Sequence, residues 1–204
     1  MRKILTLVLA VLMVMSVVSV SSSAAFTDVP ASDAALSDAV SLLTTLGVAK
    51  GTSETTFGTE NLVTREQFAL FTYRLMKAGK DAPASENTSK FVDLADPTYN
   101  YAIAWATQSD IIKGTSATTF NPKGNIKLQD AYTMIVRALG YEKDQTLPYP
   151  FGYIAVAEDI GLDEDLPSTL NYTDSLTRGN MAIILANAFY ADMNEKTSEY
   201  VERK

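Results

Sequence analysis

Two dipeptides with chemistry suited to holding an anion recur at matching places in this sequence. Thr64-Arg65 and Thr177-Arg178 follow an apolar residue (Val63, Leu176) and open stretches of helical apolar periodicity. Thr is a good N-cap, so each Arg falls at the first helical position. A cation there opposes the helix dipole by about 0.3–1 kcal/mol, and a disfavoured choice made twice asks for a compensating partner. An anion held by the guanidinium fork and the free N–H groups of the helix start is one such partner. An acidic residue of an adjacent unit, Asp28 or Asp93, is another, and simple inheritance by duplication is a third. Lys50-Gly51 and Lys113-Gly114 form the second pair. Either the Gly lets a ligand approach the backbone beside the Lys charge, or it is a turn residue next to a solvated Lys. Asp28 and Asp93, each two residues after a Phe, can accept sugar hydroxyls or close an Asx-turn.

Other chemistry is restricted by what the chain lacks. It has no Cys and no His, so no thiol nucleophile, Ser-His-Asp triad or His/Cys zinc site can be built. Asp163-Glu164-Asp165 lacks the spacing of a calcium loop and reads as a solvated acidic turn. No metal and no cofactor is expected. Trp105, the single Trp, lies within Ala102–Ala106 and reads as core rather than as a sugar platform. A glycosidase needs two carboxylates across a cleft; here every acidic residue falls in a repeat or linker and no catalytic domain remains, so the chain reads as a non-enzyme with no catalytic residues.

Arg2 and Lys3, the apolar run from Ile4 to about Val20 and the small residues Ser21 to Ala25 predict a signal peptide over 1–25 and an exported protein. No cysteine stands at the cleavage site, so no lipid anchor is expected, and no integral membrane segment remains after cleavage. Of 17 basic and 24 acidic residues, losing Arg2 and Lys3 leaves 15 against 24, a net charge of −9. Such a surface excludes nucleic acid as partner and leaves binding of an anion to a few local cations. Absence of Cys removes disulfides, leaving packing as the source of stability, and fits exported proteins of Gram-positive bacteria.

The elements that must position these residues follow from an internal repeat. Lys50–Phe57 (KGTSETTF) and Lys113–Phe120 (KGTSATTF) agree at seven of eight positions with an offset of 63. Phe26-Thr27-Asp28 and Phe91-Val92-Asp93 open the two units, Val48 pairs with Ile111, and Val63 with Ile126. A third, divergent unit aligns Gly161-Leu162 and Leu176-Thr177-Arg178 with the first. The units span 26–79, 91–140 and 150–190, with linkers at 80–90 and 141–149 and a tail at 191–204. Each reads as helix, loop, helix. In unit one, Ser32 or Asp33 caps a helix ending near Leu46 before a left-handed Gly47, and Thr64 with Gln67 forms a capping box. Apolar stripes at Phe68, Phe71, Leu75 and Met76, at Met134, Ile135, Ala138 and Leu139, and at Met181, Ile184, Leu185 and Ala188 read as core. One such unit cannot bury its own stripe, whereas three together can. The expected fold is mainly α: three helix-loop-helix repeats packed with pseudo-threefold symmetry, with grooves between units. Unit two has Lys127-Leu128 where the others have Thr-Arg, which predicts one altered groove.

These residues resemble the S-layer homology family, whose pattern opens on Phe-x-Asp-Val, passes Gly-Ile/Val-x-x-Gly and Phe-x-Pro, and closes on Thr-Arg-x-x-Phe-Ala. Phe26-Thr27-Asp28-Val29, Gly47–Gly51, Phe57 and Val63–Ala69 fit it, as do Phe91-Val92-Asp93, Ile111–Gly114, Phe120-Asn121-Pro122, and Leu176–Ala182. The resemblance implies a three-unit domain that attaches an exported protein noncovalently to the cell wall by binding secondary cell-wall polysaccharide, often pyruvylated, through Thr64-Arg65 and Thr177-Arg178. The chain departs from the pattern where many members carry a Trp near the start of the first helix: Ala35 and Thr98 stand there, and unit three lacks the Phe-x-Asp opening. A second reading follows from these departures, in which the repeats have lost sugar binding and contact other envelope proteins in an assembly or S-layer.

Overall fold

The computed structural model describes residues 26–142 and 147–191. The leader 1–25, Lys143 and Asp144 of the second linker, and the tail from 192 lie outside the described residues. Six helices follow in order: α1 (Ala34–Thr45), α2 (Arg65–Met76), α3 (Pro97–Gln108), α4 (Leu128–Ala138), α5 (Phe151–Asp159) and α6 (Arg178–Ala191). Among the described residues, β-structure is confined to isolated bridges between loops. The fold is mainly α, as expected from the periodicity.

Local signals set the helix ends. Asp33 caps α1 by accepting from the Leu36 N–H. Gly47 (φ 72°) ends it, letting the Val48 N–H turn back to the Leu43 carbonyl at 2.9 Å. Thr64 and Gln67 form a reciprocal capping box on α2. Thr177 Oγ1 accepts from the Asn180 N–H at 3.2 Å on α6, whereas Lys127 gives α4 no side-chain cap.

The helices do not pair within their repeats. The second helix of each unit packs on the first helix of the next: α2 on α3, α4 on α5, and α6 back on α1. The second helices α2, α4 and α6 meet at the centre, with α2 touching both others. This explains a difference from the stripe pattern. Residues 68–73 of α2 and 181–186 of α6 are buried without interruption, because a central helix faces neighbours on all sides. Leu75 and Met76, expected in the stripe, are only half-buried.

The loops join the units in a closed cycle. Val63 N–H donates to Leu176 O, Leu176 N–H to Ile126 O, and Ile126 N–H to Val63 O, at 3.0, 2.9 and 2.9 Å. These three equivalent side chains are fully buried. Each stretch thus satisfies its backbone on another unit rather than on its own, as buried polar groups require.

The first linker is also seated. Ser85 N–H donates to Pro97 O at 3.1 Å, Asn100 Nδ2 donates to Ser85 O at 3.0 Å, and Ala82 packs against the cluster of Leu70, Tyr73 and Ala102. Trp105 joins that cluster half-buried, edge-on to Tyr73 at 5.2 Å, with Lys77 Nζ 5.1 Å from its ring centroid.

Candidate ligand-binding grooves

Each second helix inserts its N-terminus into the loop of another unit. Arg178 Nε donates to Phe57 O at 3.0 Å and Nη2 to Lys50 O at 2.8 Å, with the guanidinium 4.8 Å from the Phe57 ring centroid. Arg65 repeats this on unit two: Nε to Phe120 O at 3.0 Å, Nη2 to Lys113 O at 3.4 Å, and 4.8 Å from the Phe120 ring. Both arginines are buried. Burial pulls each guanidinium pKa down, opposed at Arg65 by Asp130, whose Oδ2 lies 3.7 Å from Nη1, and at Arg178 by the charge of Asp28. The structure therefore brings Arg178 together with Lys50-Gly51, and Arg65 together with Lys113-Gly114.

The helix-start amides that were expected to receive an anion have protein acceptors. Arg65 and Glu66 N–H donate to Gly124 O and Pro122 O, and Gln67 N–H to Thr64 Oγ1. Arg178 and Gly179 N–H donate to Asn61 O and Thr59 O. What remains for a ligand is the outer edge of each guanidinium. The Thr hydroxyls are themselves engaged as caps.

Asp28 and Asp93 close the loops from within. Asp28 Oδ1 accepts from Phe57 N–H at 2.7 Å, and Oδ2 from Gly58 and Thr59 N–H at 2.6 and 2.9 Å. Asp93 accepts from Phe120 and Asn121 N–H at 2.9 and 2.8 Å. Burial pushes both carboxyls up, but these amides outweigh it and hold them below the usual carboxylate range, with Arg65 assisting at Asp93. The acidic residue within 4 Å of Arg65 is Asp130 rather than Asp93.

Gly51 and Gly114 serve close packing. A Cβ on Gly51 would lie 2.5 Å from the Phe26 ring and 2.5 Å from Ser53 O; on Gly114 it would lie 2.4 Å from the Phe91 ring and 2.4 Å from Thr119 O. The space a glycine opens here is filled by the Phe that starts the same unit.

At the second junction these elements border a cavity of about 580 Å³. Arg65 of unit one, Lys113, Thr133 and Arg137 of unit two, Tyr149 of the second linker and Tyr153 of unit three line it. Arg137 Nε donates to Glu142 Oε2 at 2.7 Å and Nη2 to Tyr153 Oη at 2.7 Å, and Tyr153 Oη–H donates to Glu142. Burial pushes the Glu142 carboxyl up, while Tyr153 and Arg137 bring it below its usual range. Tyr149, 55% exposed, has its hydroxyl held between Asp130 and Gln129, both at 2.7 Å, which fixes the ring on the cavity rim. Among the described residues no carboxylate lies within 4 Å of the Lys113 ammonium.

Arg137, Arg74 and Tyr149 were not among the expected site residues, although the repeat carries a signal for each. Arg74 and Arg137 stand 63 apart, the offset of the repeat itself. Tyr149 stands twelve residues before Gly161, the place that Ala35 holds before Gly47. The aromatic missing from units one and two is thus present at the end of the second linker, directly before unit three.

Leu128 also acquires a location. Leu128 N–H donates to Asp174 O and Gln129 N–H to Tyr172 O, so the Lys127-Leu128 change alters the junction with unit three's loop, while unit two's own loop receives Arg65. At that third junction, Leu128 replaces Arg65/Arg178, Glu164 aligns with Lys50/Lys113, and Asn187 replaces Arg74/Arg137, its Nδ2 donating to Glu164 O at 2.8 Å. All three cations of the other junctions are gone.

Residues 25–69 and 92–131 match the S-layer homology domain family, and the third unit lies outside both segments. The chain is 31% identical over 198 residues to a cell surface protein of Thermoanaerobacter kivui, covering 94% of this chain and 25% of that protein. It is 27% identical over 200 residues to the middle cell wall protein of Brevibacillus brevis (96% and 19%), and 27% identical over 164 residues to a surface layer protein of Brevibacillus choshinensis (79% and 15%). The chain spans a quarter or less of the length of these relatives. No described helix is long and apolar enough to cross a membrane.

Proposed function

We propose that this chain, with its two S-layer homology segments, is a noncovalent cell-wall attachment module of the bacterial surface. Its second junction takes an anionic secondary cell-wall polysaccharide, one bearing pyruvyl ketals. Behind this reading stands the cavity where an Arg of unit one, a Lys of unit two and an exposed Tyr of the second linker converge on about 580 Å³. A ketal carboxylate suits the Lys113 ammonium and the outer edge of the Arg65 guanidinium, and a pyranose ring suits the face of Tyr149. In a chain with net charge −7, such a local cation set selects a compact anionic group rather than attracting the whole wall. The three surface and cell-wall relatives support the same location and a structural rather than catalytic role.

Co-sedimentation of the purified chain with sacculi, with and without their secondary polysaccharide, tests this reading. Binding is expected to need the polysaccharide and to fall about tenfold in Lys113→Ala and in Tyr149→Ala, two side chains at the cavity rim. Equal binding to stripped sacculi would instead favour contact with other envelope proteins, a role that fits the third junction with its Leu128, Glu164 and Asn187.

A further inference from the structure

The first junction has the same cations as the second, but its own chain lies across them. Aligned through the 63-residue offset, Lys113, Thr133 and Arg137 of the cavity wall correspond to Lys50, Leu70 and Arg74. Aligned through the helix-ending positions Asp110 and Gly161, Tyr153 corresponds to Ala102. Two of these counterparts meet the linker that follows α2 directly, and the other two belong to the cluster it packs against. Asp81 pairs with Arg74 at 2.8 Å through both Nε and Nη2, and lies 3.6 Å from Lys50 Nζ. Ala82 packs against the cluster that holds Leu70 and Ala102.

We propose that residues 81–85 are a built-in competitor in the first junction, with the Asp81 carboxylate standing where a ligand's anionic group would sit. The proposal rests on the reading that these junctions take an anionic saccharide. Two features mark the seat as one that can be vacated and refilled. Asp81 is 59% exposed and, among the described residues, is paired with the two cations alone, so its hold is that of a solvated ion pair. The seat is also incompletely satisfied: Asn100 is buried and donates to Ser85 O, yet its Oδ1 has no hydrogen-bond partner. A buried orphan acceptor destabilises the strapped state, and a sugar hydroxyl is a donor able to relieve it. With the strap lifted, the junction offers two cations, an acceptor and the Tyr73–Trp105 aromatic cluster to an anionic sugar. Glu142, which meets Arg137 in the second junction, is different, because Tyr153 also anchors it and the cavity beside it stays open.

Trp105 is the only Trp and lies in the cluster that Ala82 packs against, so its fluorescence reports the first junction alone. The wild-type chain, Asp81→Asn and Lys113→Ala are titrated with a monosaccharide carrying a 4,6-pyruvyl ketal, and with the same sugar lacking it, by calorimetry and by Trp emission. Two classes of site are expected in wild type. The weaker one moves Trp105 and gains about three- to tenfold in affinity in Asp81→Asn; the stronger one is silent to Trp105 and weakens about tenfold in Lys113→Ala. A strong site with no Trp-reported site, or one that Asp81→Asn leaves unchanged or weakens, overturns the competitor while leaving the attachment reading intact. No heat with either sugar in any of the three proteins overturns both.

Discussion

The Arg178 junction and the Arg65 junction are built from the same parts and finished differently. In both, a buried Arg from one unit ties two carbonyls of another unit's loop, a Phe ring lies under the guanidinium, and an Asp gathers the loop amides. They diverge where the chain leaves the second helix. After α2 the chain crosses the junction, and Asp81 neutralises its cations. After α4 it turns aside through Glu142, leaving a cavity with an exposed Tyr on its rim. Duplication preserved the fastening, and the connecting segments decided which junction stays open.

The largest test of that shared fastening is removal of the arginines. Arg178→Ala and Arg65→Ala should each lower stability by about 3 kcal/mol, because two carbonyls lose a buried charged donor. Urea denaturation measures this, and an effect under 1 kcal/mol at either site would separate the two junctions structurally. A smaller contrast is expected at the aspartates. Asp28→Ala should cost about 2–3 kcal/mol and Asp93→Ala about 1–2, since Asp28 gathers three amides and Asp93 two. Both carboxyls are held below the usual range in the folded chain, so their contribution is present above about pH 4 and is lost as pH falls through the folded value. The wild type should therefore lose stability on acidification below about pH 4, and Asp28→Ala should show a shallower acid slope in denaturant titrations. The smallest effects on stability, within about 0.5 kcal/mol, are expected at Lys50→Ala and Lys113→Ala, yet the second should weaken sugar binding more, because Lys113 serves the open junction. Equal loss of binding in both would mean that the strap does not distinguish the junctions.

Much of this was legible from the repeat. The 63-residue offset paired the first two stretches residue by residue, Thr64 and Gln67 announced a helix start, and Gly47 a helix end. It also marked Arg65 and Arg178 as unusual, because a cation at a helix start needs a partner. The partner itself could not be read, since it is a pair of backbone carbonyls supplied by residues 48 to 128 positions away. Gly51 and Gly114 allowed two readings for a related reason: the sequence shows where a side chain is missing, and only packing shows that Phe26 and Phe91 approach there. The pairing of helices across units, rather than within them, was likewise invisible to periodicity, which reports that a face is buried but not against what.

That pairing has a kinetic consequence. Helix α1 finds its partner only in α6, at the far end of the described chain. A polypeptide made from its N-terminus can dock α2 on α3 and α4 on α5 as each pair emerges, but α1 must wait with its apolar face open until Arg178 and the residues beyond it exist. Assembly is thus a latch rather than a zipper: the longest loop closes last, and a chain stopped before α6 would keep both an unfinished core and an empty Lys50 loop.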